Sequence, residues 1–327
     1  MPLILSAKEI EGLVSMPEAL EAVEDGFKEY LRGRCEAPVR MNVHAPEKGG
    51  RYILLPCYLA DSGIFHTKVF SVYLDNPKRD LPTNYYYYFL HDIGTGEIKA
   101  IMGGTYITNL RTGAVPGIAT KYLARKDSRV LALFGAGPVA EYQILAMITV
   151  ARIEKIFLFD LDRNRALEFA RQMESKYQTP PISLAPTARE AVKEADIIVT
   201  VTSSRKPVFE GRDVKAGAHI NAVGGINPQG TEIDEYTVTH SKIVVEKMGE
   251  IFSEAGEIIL QIQKGLLKKE DIHGELAEII MGKKPGRTSP AEITFFKSIG
   301  FAMEDAVMAE RVYKKAVEKG LGKKVEI

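Results

Sequence analysis

The sequence is poor in the residues that build metal centres. Its 327 residues include two cysteines, Cys35 and Cys57, with no second cysteine pair and no histidine-rich cluster. Because structural zinc takes four such ligands, we expect no metal site. We interpret both cysteines as structural residues. A disulfide between them is the alternative, although disulfides are uncommon in cytosolic proteins.

Net charge and long apolar runs are also absent. Lysine plus arginine and aspartate plus glutamate both number 43, so the formal net charge is zero. We therefore expect neither a nucleic acid nor an anionic membrane as a partner. No apolar run approaches the roughly 20 residues that span a bilayer. The first residues, MPLILSAKEIEGLVSM, lack the basic region of a signal peptide, and the protein is expected to be cytoplasmic.

The pattern along the chain changes near residue 129. Before it, Ser15-Met16-Pro17-Glu18 forms a capping box for an amphipathic helix that ends near Gly33, and residues 51–107 are rich in strand patterns. This region includes four consecutive tyrosines, Tyr85–Tyr88. We interpret them as part of a strand with two packed faces, the second of which could lie at a subunit interface, and an aromatic recognition surface is the alternative.

After residue 129, short apolar segments alternate with helical patterns. The apolar segments read VLALF, IFLFD, ADIIVTVTS, HINAVGG and KIVVE. Repeated βα units of this length predict a parallel sheet covered by helices. The predicted fold class is therefore α/β, with a Rossmann-type parallel sheet domain and a second, mixed α+β domain.

A glycine pattern lies between the first of these strands and the helix that follows it. Residues 135–140 read GAGPVA and fit G-x-G-x-x-A, in which the first glycine permits a tight turn and the second permits a pyrophosphate to approach the backbone. Backbone N–H groups at the start of the helix would bind phosphate oxygens. The candidate contacts are Gly135, Gly137, Pro138 and Val139. An ordinary strand-to-helix turn is the alternative.

The next strand ends in an acid at the spacing expected for a ribose contact. Asp160 follows IFLF, and a carboxylate there accepts hydrogen bonds from ribose hydroxyls but repels a 2′-phosphate. NAD(H) is therefore favoured over NADP(H), although Arg163 and Arg165 nearby argue in the other direction. Two later strand ends, at Thr202 and at Val223-Gly224, are candidates for the nicotinamide side; for Thr202, a simple turn residue is the alternative.

Three further segments complete a specific order. ITNLRTGAVPGIATKYLA precedes the glycine pattern, HINAVGG with a downstream TEID follows it, and TFFKSIGFAMED lies near the end. The order resembles the ornithine cyclodeaminase/μ-crystallin family, which includes cyclodeaminases, an archaeal-type alanine dehydrogenase, cyclic ketimine reductases and the μ-crystallins. The resemblance implies a homodimer joined through β-structure. It also implies a substrate and dimerisation domain at 1–120 with 306–327, and a dinucleotide domain at 121–305.

The resemblance assigns catalytic and substrate-binding roles to two cations, Lys68 and Arg111. Lys68 alternates with His66 and Phe70 on a strand face, where an ammonium group needs a partner anion. A solvated lysine on an edge strand is the alternative. The family's second substrate arginine corresponds to Arg40 or to Arg51. The resemblance also implies these cofactor contacts: Thr83, Arg111, Thr112, Asp160, Thr202, Val223, Gly224 and Ser298.

One position departs from the family pattern. Cyclodeaminases and the alanine dehydrogenase place an aspartate where this sequence has Ile226. An isoleucine there favours a substrate without a distal ammonium group, and a packing residue without substrate contact is the alternative. If the chain were nevertheless a cyclodeaminase, Glu232 and Asp234 would be the first candidates for the displaced acid.

These features predict an NAD(P)-dependent oxidoreductase that acts on the C–N bond of a small amino acid or cyclic imino acid. Ketimine reduction or amino-acid dehydrogenation is favoured. Two alternatives stay open: an ornithine cyclodeaminase that converts L-ornithine to L-proline and ammonia, and a μ-crystallin-like protein that binds a nucleotide and a small carboxylate with little turnover.

Overall fold

The computed structural model describes residues 1–224 and 227–326. These residues form two compact units, one made of residues 1–111 with the chain from residue 301 onward, the other of residues 112–300. The predicted boundaries at residues 120 and 305 lie slightly further along the chain. The roles predicted for the two domains stay predictions.

The first unit begins with one strand and two helices, and the chain after them is rich in strands. Its elements up to residue 123, where the last helix continues into the second unit, are β1 (Leu3–Leu5), α1 (Ala7–Ile10), α2 (Met16–Leu31), β2 (Cys35–Glu36), β3 (Met41–Ala45), β4 (Gly50–Leu59), β5 (Ile64–Tyr73), β6 (Asn84–His91), β7 (Ile98–Gly103) and α3 (Thr105–Leu123).

The second unit alternates strands with helices. Its elements are β8 (Val130–Phe134), α4 (Ala140–Val150), β9 (Lys155–Phe159), α5 (Arg163–Lys176), β10 (Ile182–Leu184), α6 (Ala188–Lys193), β11 (Ile197–Thr200), β12 (His219–Ala222), α7 (Glu235–Thr239), β13 (Lys242–Val245), α8 (Met248–Glu254), α9 (Gly256–Gln263), β14 (Ile272–Glu275), α10 (Leu276–Ile280) and β15 (Thr294–Lys297). The chain then returns to the first unit with α11 (Ala302–Glu318) and β16 (Lys323–Lys324).

The sheet of the first unit is mixed and packs helices on one face. Its strand order is β16-β1-β7-β6-β5-β4-β2, and β3 pairs with β4. Helix α2 begins at the predicted capping box, in which Glu18 accepts a hydrogen bond from the backbone N–H of Ser15. Gly26 of α2 lets α11 approach closely, because a Cβ at this position would lie 2.2 Å from Sδ of Met303.

The strand of four tyrosines has one packed face in the single chain. Tyr88 in β6 is fully buried, whereas Tyr87 beside it is 47% exposed. The second packed face, expected at a subunit interface, is not tested by the single chain and stays a prediction, because the helices of this unit cover only one side of the sheet. The Sγ atoms of Cys35 and Cys57 lie 4.0 Å apart, so no S–S bond joins them.

The sheet of the second unit is parallel throughout its described strand pairs, as predicted. Its order is β10-β9-β8-β11-β12-β15-β13-β14. The first six strands of this order follow the usual dinucleotide-binding arrangement. In it the chain adds strands on one side of β8 first and then, from β11, on the other side. The α/β fold class with a Rossmann-type sheet is thereby confirmed. None of the described helices is long and apolar enough to cross a membrane.

Candidate functional site

Lys68 lies in the middle of the first unit's sheet and is paired with an acid. Strand β5 runs between β4 and β6, and only 2% of the Lys68 surface is exposed. Its Nζ lies 2.7 Å from Oδ2 of Asp305. The alternative of a solvated edge-strand lysine is therefore wrong, and the expected partner anion is present.

Asp305 also holds Arg111. The Nε of Arg111 lies 3.0 Å from Oδ1 of Asp305, and its NH1 lies 2.8 Å from Oε2 of Glu304. The hydroxyl of Tyr88 donates a 2.5 Å hydrogen bond to Oδ1 of Asp305. Both acids come from the first turn of α11 and are fully buried. We call Lys68, Tyr88, Arg111, Glu304 and Asp305 the Lys68–Asp305 cluster.

Burial and neighbouring charges shift the pKa values of the ionisable groups in the cluster. Burial and the neighbouring charge of Arg111 lower the pKa of Lys68 to about 7, against the opposing effect of Asp305. Burial alone would raise the pKa of Asp305, but Arg111 and Lys68 lower it to about 2. Asp305 is therefore ionised at neutral pH, whereas Lys68 can take up or release a proton there.

The two candidates for the second substrate arginine differ in position. The charge of Arg40 acts on Lys68 and contributes to the lowering of its pKa. Arg51 lies exposed on β4, opposite Val72 and His44. The electrostatic neighbourhood of Lys68 thus favours Arg40. The substrate role of either arginine stays a prediction.

Sequence reasoning missed the two acids and the tyrosine of the cluster. A signal for the acids was present, because Glu304 and Asp305 interrupt the otherwise apolar stretch FAMEDAVMA. Two adjacent carboxylates on a buried helix face need cations, and the candidate cations Lys68 and Arg111 were already named. The pairing could not be read from the sequence, because these partners are about 190 to 240 residues apart.

In the second unit, the glycine turn has the conformation that a dinucleotide needs. Gly135 has φ +102°, and a Cβ there would lie 2.8 Å from the carbonyl oxygen of Val201. Around Gly137, a Cβ would meet no atom within 4 Å, so there is open space for a pyrophosphate beside the backbone. Helix α4 begins at Ala140, after Pro138 and Val139. These residues fit the dinucleotide.

Asp160 lies beside this turn and directly after β9. Its Oδ2 accepts a 2.8 Å hydrogen bond from the backbone N–H of Ala136. Its Oδ1 accepts hydrogen bonds from the backbone of Asp162 at 2.8 Å and from Arg165 at 2.6 Å. Burial opposes ionisation of Asp160, but Arg165 and the two amides hold its pKa below the ordinary value. The carboxylate is therefore charged and orientated at the predicted ribose position.

The strand-end candidates follow neighbouring strands of the same sheet. Thr202 follows β11, Val223 and Gly224 follow β12, and Ser298 follows β15. Since the carboxyl ends of parallel strands share one edge of the sheet, these residues lie on the side where dinucleotides bind in such folds. Ile226 lies outside the described residues. Thr112 contributes its carbonyl oxygen to a 2.9 Å hydrogen bond from Gln143, and Thr83, in the first unit, accepts one from the backbone of Tyr73.

The two acids named as substitutes for a displaced catalytic aspartate have structural partners. Glu232 is fully buried, and its Oε1 accepts 2.7 Å and 2.5 Å hydrogen bonds from the backbone N–H and the hydroxyl of Thr202. Asp234 caps α7 by accepting hydrogen bonds from Thr237, and it also accepts one from the backbone of Gly211. Both carboxylates are thus engaged within the unit.

The sequence profile of the ornithine cyclodeaminase/μ-crystallin family matches residues 1–320. The chain belongs to this family. It is 35% identical over 325 residues to a Δ1-pyrroline-2-carboxylate reductase of Bacillus cereus, and the match covers 99% of each chain. The family prediction is therefore confirmed across almost the whole sequence.

Two solved structures share both the sequence and the fold. The Δ1-pyrroline-2-carboxylate reductase of Thermococcus litoralis, in complex with NADH and L-proline, is 41% identical with a TM-score of 0.95, covering 99% of this chain and 100% of that one. An archaeal alanine dehydrogenase dimer with bound NAD is 37% identical with a TM-score of 0.93, covering 99% of each chain. The first of these structures contains NADH and the second contains NAD.

Replacement of Lys68 tests whether the cluster binds a carboxylate. Lys68→Met should raise the dissociation constant of a carboxylate ligand about 30-fold or more, since a lost charge-assisted hydrogen bond costs about 2 kcal/mol. The dissociation constant of NADH, followed by its fluorescence, should change little. Lys99→Met, which removes an ammonium 3.9 Å from Glu310 in the same unit, is the matched control. Unchanged carboxylate binding in Lys68→Met would remove the lysine from the substrate site.

Proposed function

We propose that this protein is an NAD(P)-dependent oxidoreductase that acts on the carbon–nitrogen bond of a small amino acid or cyclic imino acid. The observation that carries the proposal is the buried Lys68–Asp305 cluster. Lys68 and Arg111 are both buried and both contact Asp305, and burial together with the charge of Arg111 lowers the pKa of Lys68 to about 7. A further anion would stabilise the charged lysine and pair with both cations, and an α-carboxylate supplies one.

The substrate proposed first is a five-membered cyclic ketimine carboxylate, which reduction converts to proline. The proposed oxidoreductase agrees with the activity by which two similar proteins are named. An aliphatic amino acid such as alanine is the second substrate to examine, because the alanine dehydrogenase is nearly as similar. Both substrates lack a distal ammonium group, as Ile226 predicts.

Residues of the cluster have separable tasks in this reaction. Arg111, fixed by Glu304 and Asp305, offers a preorganised guanidinium to one side of the substrate carboxylate. Lys68 has a pKa of about 7 before the carboxylate binds, and its protonated form would bind the carboxylate and could give a proton to the reacting nitrogen. The bound nicotinamide dinucleotide supplies or accepts the hydride.

Cyclodeamination of ornithine is disfavoured by the two engaged acids. Glu232 is buried against Thr202, and Asp234 caps a helix. Neither can serve as the displaced acid without giving up these bonds. A distal ammonium group in a partly dry pocket would then lack a partner, which costs several kcal/mol.

Turnover with the cyclic ketimine carboxylate, L-alanine and L-ornithine tests the proposed activity. With NADH, the wild type should reduce the cyclic ketimine carboxylate, whereas with catalytic NAD it should release little ammonia from L-ornithine. Ile226→Asp should increase ammonia release, because the new carboxylate pairs with the distal amine. It should also slow the ketimine reaction, because a desolvated charge faces an apolar ring.

Two outcomes would contradict the proposed activity. Efficient conversion of ornithine to proline and ammonia by the wild type would make the protein a cyclodeaminase. Tight binding of NADH and of the carboxylate without turnover of any of the three substrates would favour the μ-crystallin-like binding protein.

We also propose that NAD(H) is preferred over NADP(H). The support is the ionised Asp160 beside the glycine turn, which repels a 2′-phosphate. Its partner Arg165 has a side chain that is 56% exposed, so this guanidinium is the group that a 2′-phosphate would recruit. We therefore expect the preference for NAD(H) to come from the carboxylate of Asp160 and to be opposed by Arg165.

Asp160→Ser should reduce the preference for NADH over NADPH. The variant should bind NADH about fivefold more weakly, for the loss of one hydrogen bond of about 1 kcal/mol, and should bind NADPH more tightly because the repulsion is gone. Titration of cofactor fluorescence measures both constants. Arg171→Met, a change of an exposed cation further along α5, is the control. Equal affinity of the wild type for NADH and NADPH would contradict the assignment.

We propose that the protein is a homodimer whose subunits meet at the exposed face of the first unit's sheet. The helices cover the face that carries Ile53, Leu55 and Tyr88, whereas the opposite face exposes large apolar side chains. The register of β3 to β6 places these on one side of the sheet: Met41, Val43, Tyr52, Tyr58, Phe65 and Tyr87. An apolar patch of this extent is expected to be covered, and the similar alanine dehydrogenase is a dimer.

Charged substitutions on this face should separate the subunits. The double variant Phe65→Glu/Tyr87→Glu should sediment as a monomer at concentrations where the wild type sediments as a dimer, because it buries two uncompensated charges. Met281→Glu, at an exposed apolar residue of the second unit, should leave the mass unchanged. A monomeric wild type at micromolar concentration would contradict the dimer.

A further inference from the structure

Three charged side chains of the second unit are fully buried near the carboxyl ends of its strands. Glu232, Glu257 and Lys297 expose none of their surface. Oε2 of Glu257 lies 3.2 Å from Nζ of Lys297, and Oε1 of Glu257 accepts a 3.1 Å hydrogen bond from the backbone N–H of Glu232. We call these three residues the Glu232–Lys297 network.

The network binds two strand ends. Glu232 accepts hydrogen bonds from both the backbone N–H and the hydroxyl of Thr202, which follows β11. Lys297 donates a 2.6 Å hydrogen bond from Nζ to the carbonyl oxygen of Gly224, which follows β12. Each end of the network therefore sets the orientation of one peptide group.

Thr202 and Gly224 also pack closely against each other. A Cβ on Gly224 would lie 2.3 Å from the carbonyl oxygen of Thr202 and 2.6 Å from Oε2 of Glu232. A glycine is needed at 224 because two backbones and a carboxylate meet there. A shift of Glu232 or Lys297 would consequently be transmitted to both loops.

The neighbouring strand end is held by another buried acid. Oε1 of Glu246 accepts a 3.0 Å hydrogen bond from the hydroxyl of Ser298, and its Oε2 accepts a 3.1 Å bond from the backbone N–H of Ile299. Ser298 is a predicted cofactor contact, as are Thr202 and Gly224. Buried carboxylates thus hold Thr202 and Ser298, and Lys297, the ion-pair partner of Glu257, holds Gly224. All three are candidate cofactor contacts.

Stability alone does not account for this arrangement. Taking two carboxylates and an ammonium out of water is costly, and apolar residues of similar volume are often as stabilising. The cost is visible at Glu232, because its burial raises its pKa, against the opposing effects of Lys297 and Thr202. The directional bonds to Thr202 and Gly224 are what apolar packing could not supply.

We propose that Glu232, Glu257 and Lys297 are positioning residues for the nicotinamide half of the cofactor. They fix the peptide groups of Thr202 and Gly224 at the strand ends, and these peptide groups orientate the ring for hydride transfer. The adenosine half, assigned to Gly137 and Asp160, does not depend on them. The inference rests on the proposed function only in requiring that a nicotinamide dinucleotide binds at this edge of the sheet.

The test compares NADH with ADP-ribose, which lacks the nicotinamide. Lys297→Met removes the donor to Gly224 at nearly constant volume. It should weaken NADH binding about tenfold, less than the loss of a direct charge-assisted hydrogen bond because Lys297 acts through Gly224, and lower kcat for the ketimine carboxylate more than it changes the KM of that substrate. ADP-ribose affinity, measured by calorimetry, should stay within about twofold because the adenosine half keeps its contacts.

A matched pair of variants covers the case in which Lys297→Met fails to fold. Glu232→Gln retains an oxygen that accepts from Thr202 and should keep most of the NADH-to-ADP-ribose affinity ratio, whereas Glu232→Leu should lose it. Asp196→Asn is the control, since this nearly buried acid accepts from Arg129 and Val130 at the opposite edge of the sheet. Thermal unfolding checks that each variant is folded.

The outcomes distinguish the inference from the proposed function. If NADH and ADP-ribose weaken in parallel, or if Glu232→Leu keeps both the affinity ratio and kcat, the network is merely structural and the inference is overturned. If the wild type binds neither ligand, the proposed function fails, and the inference falls with it. A selective loss for NADH in folded Lys297→Met or Glu232→Leu supports the positioning role.

Discussion

The candidate chemistry depends on one carboxylate. Asp305 lies at the start of α11 and accepts from Lys68, Arg111 and Tyr88. Without it, two cations would be buried side by side, and Lys68 would be driven towards its neutral form by burial and by Arg111. Asp305 keeps both cations in place for a carboxylate ligand.

The fold was largely predictable because its signals are local. The glycine pattern at 135–140, the alternation of apolar segments after residue 129 and the capping box at Ser15 each specify a short element, and each appears as predicted. The strand β15 between β12 and β13 was missed, since its four residues carry no periodicity that separates a strand from other buried segments. The packing of the face of β6 that carries Tyr87 could not be read from the strand itself, because burial there depends on what covers the sheet.

The candidate site was predictable only in part. Lys68 and Arg111 were named from the family pattern, but their partner Asp305 was not, because pairing across some 200 residues is decided by the fold. Glu232 was named as a first candidate for a displaced acid, on the condition that the chain is a cyclodeaminase, because it lies near Ile226 in the sequence. In the folded chain its carboxylate is turned to Thr202, so an acid close in sequence to a site need not face it.

Proton uptake on ligand binding tests the central claim most directly. If a carboxylate binds Lys68, it favours the charged lysine, so at about pH 8 the enzyme should take up close to one proton from the buffer, and much less at about pH 6, where Lys68 is already protonated. Calorimetric titration of the NADH-loaded enzyme with a cyclic carboxylate, in buffers of different ionisation enthalpy, measures this number. The account predicts uptake that disappears in Lys68→Met. No uptake by the wild type at either pH, or the same uptake by Lys68→Met, would contradict it.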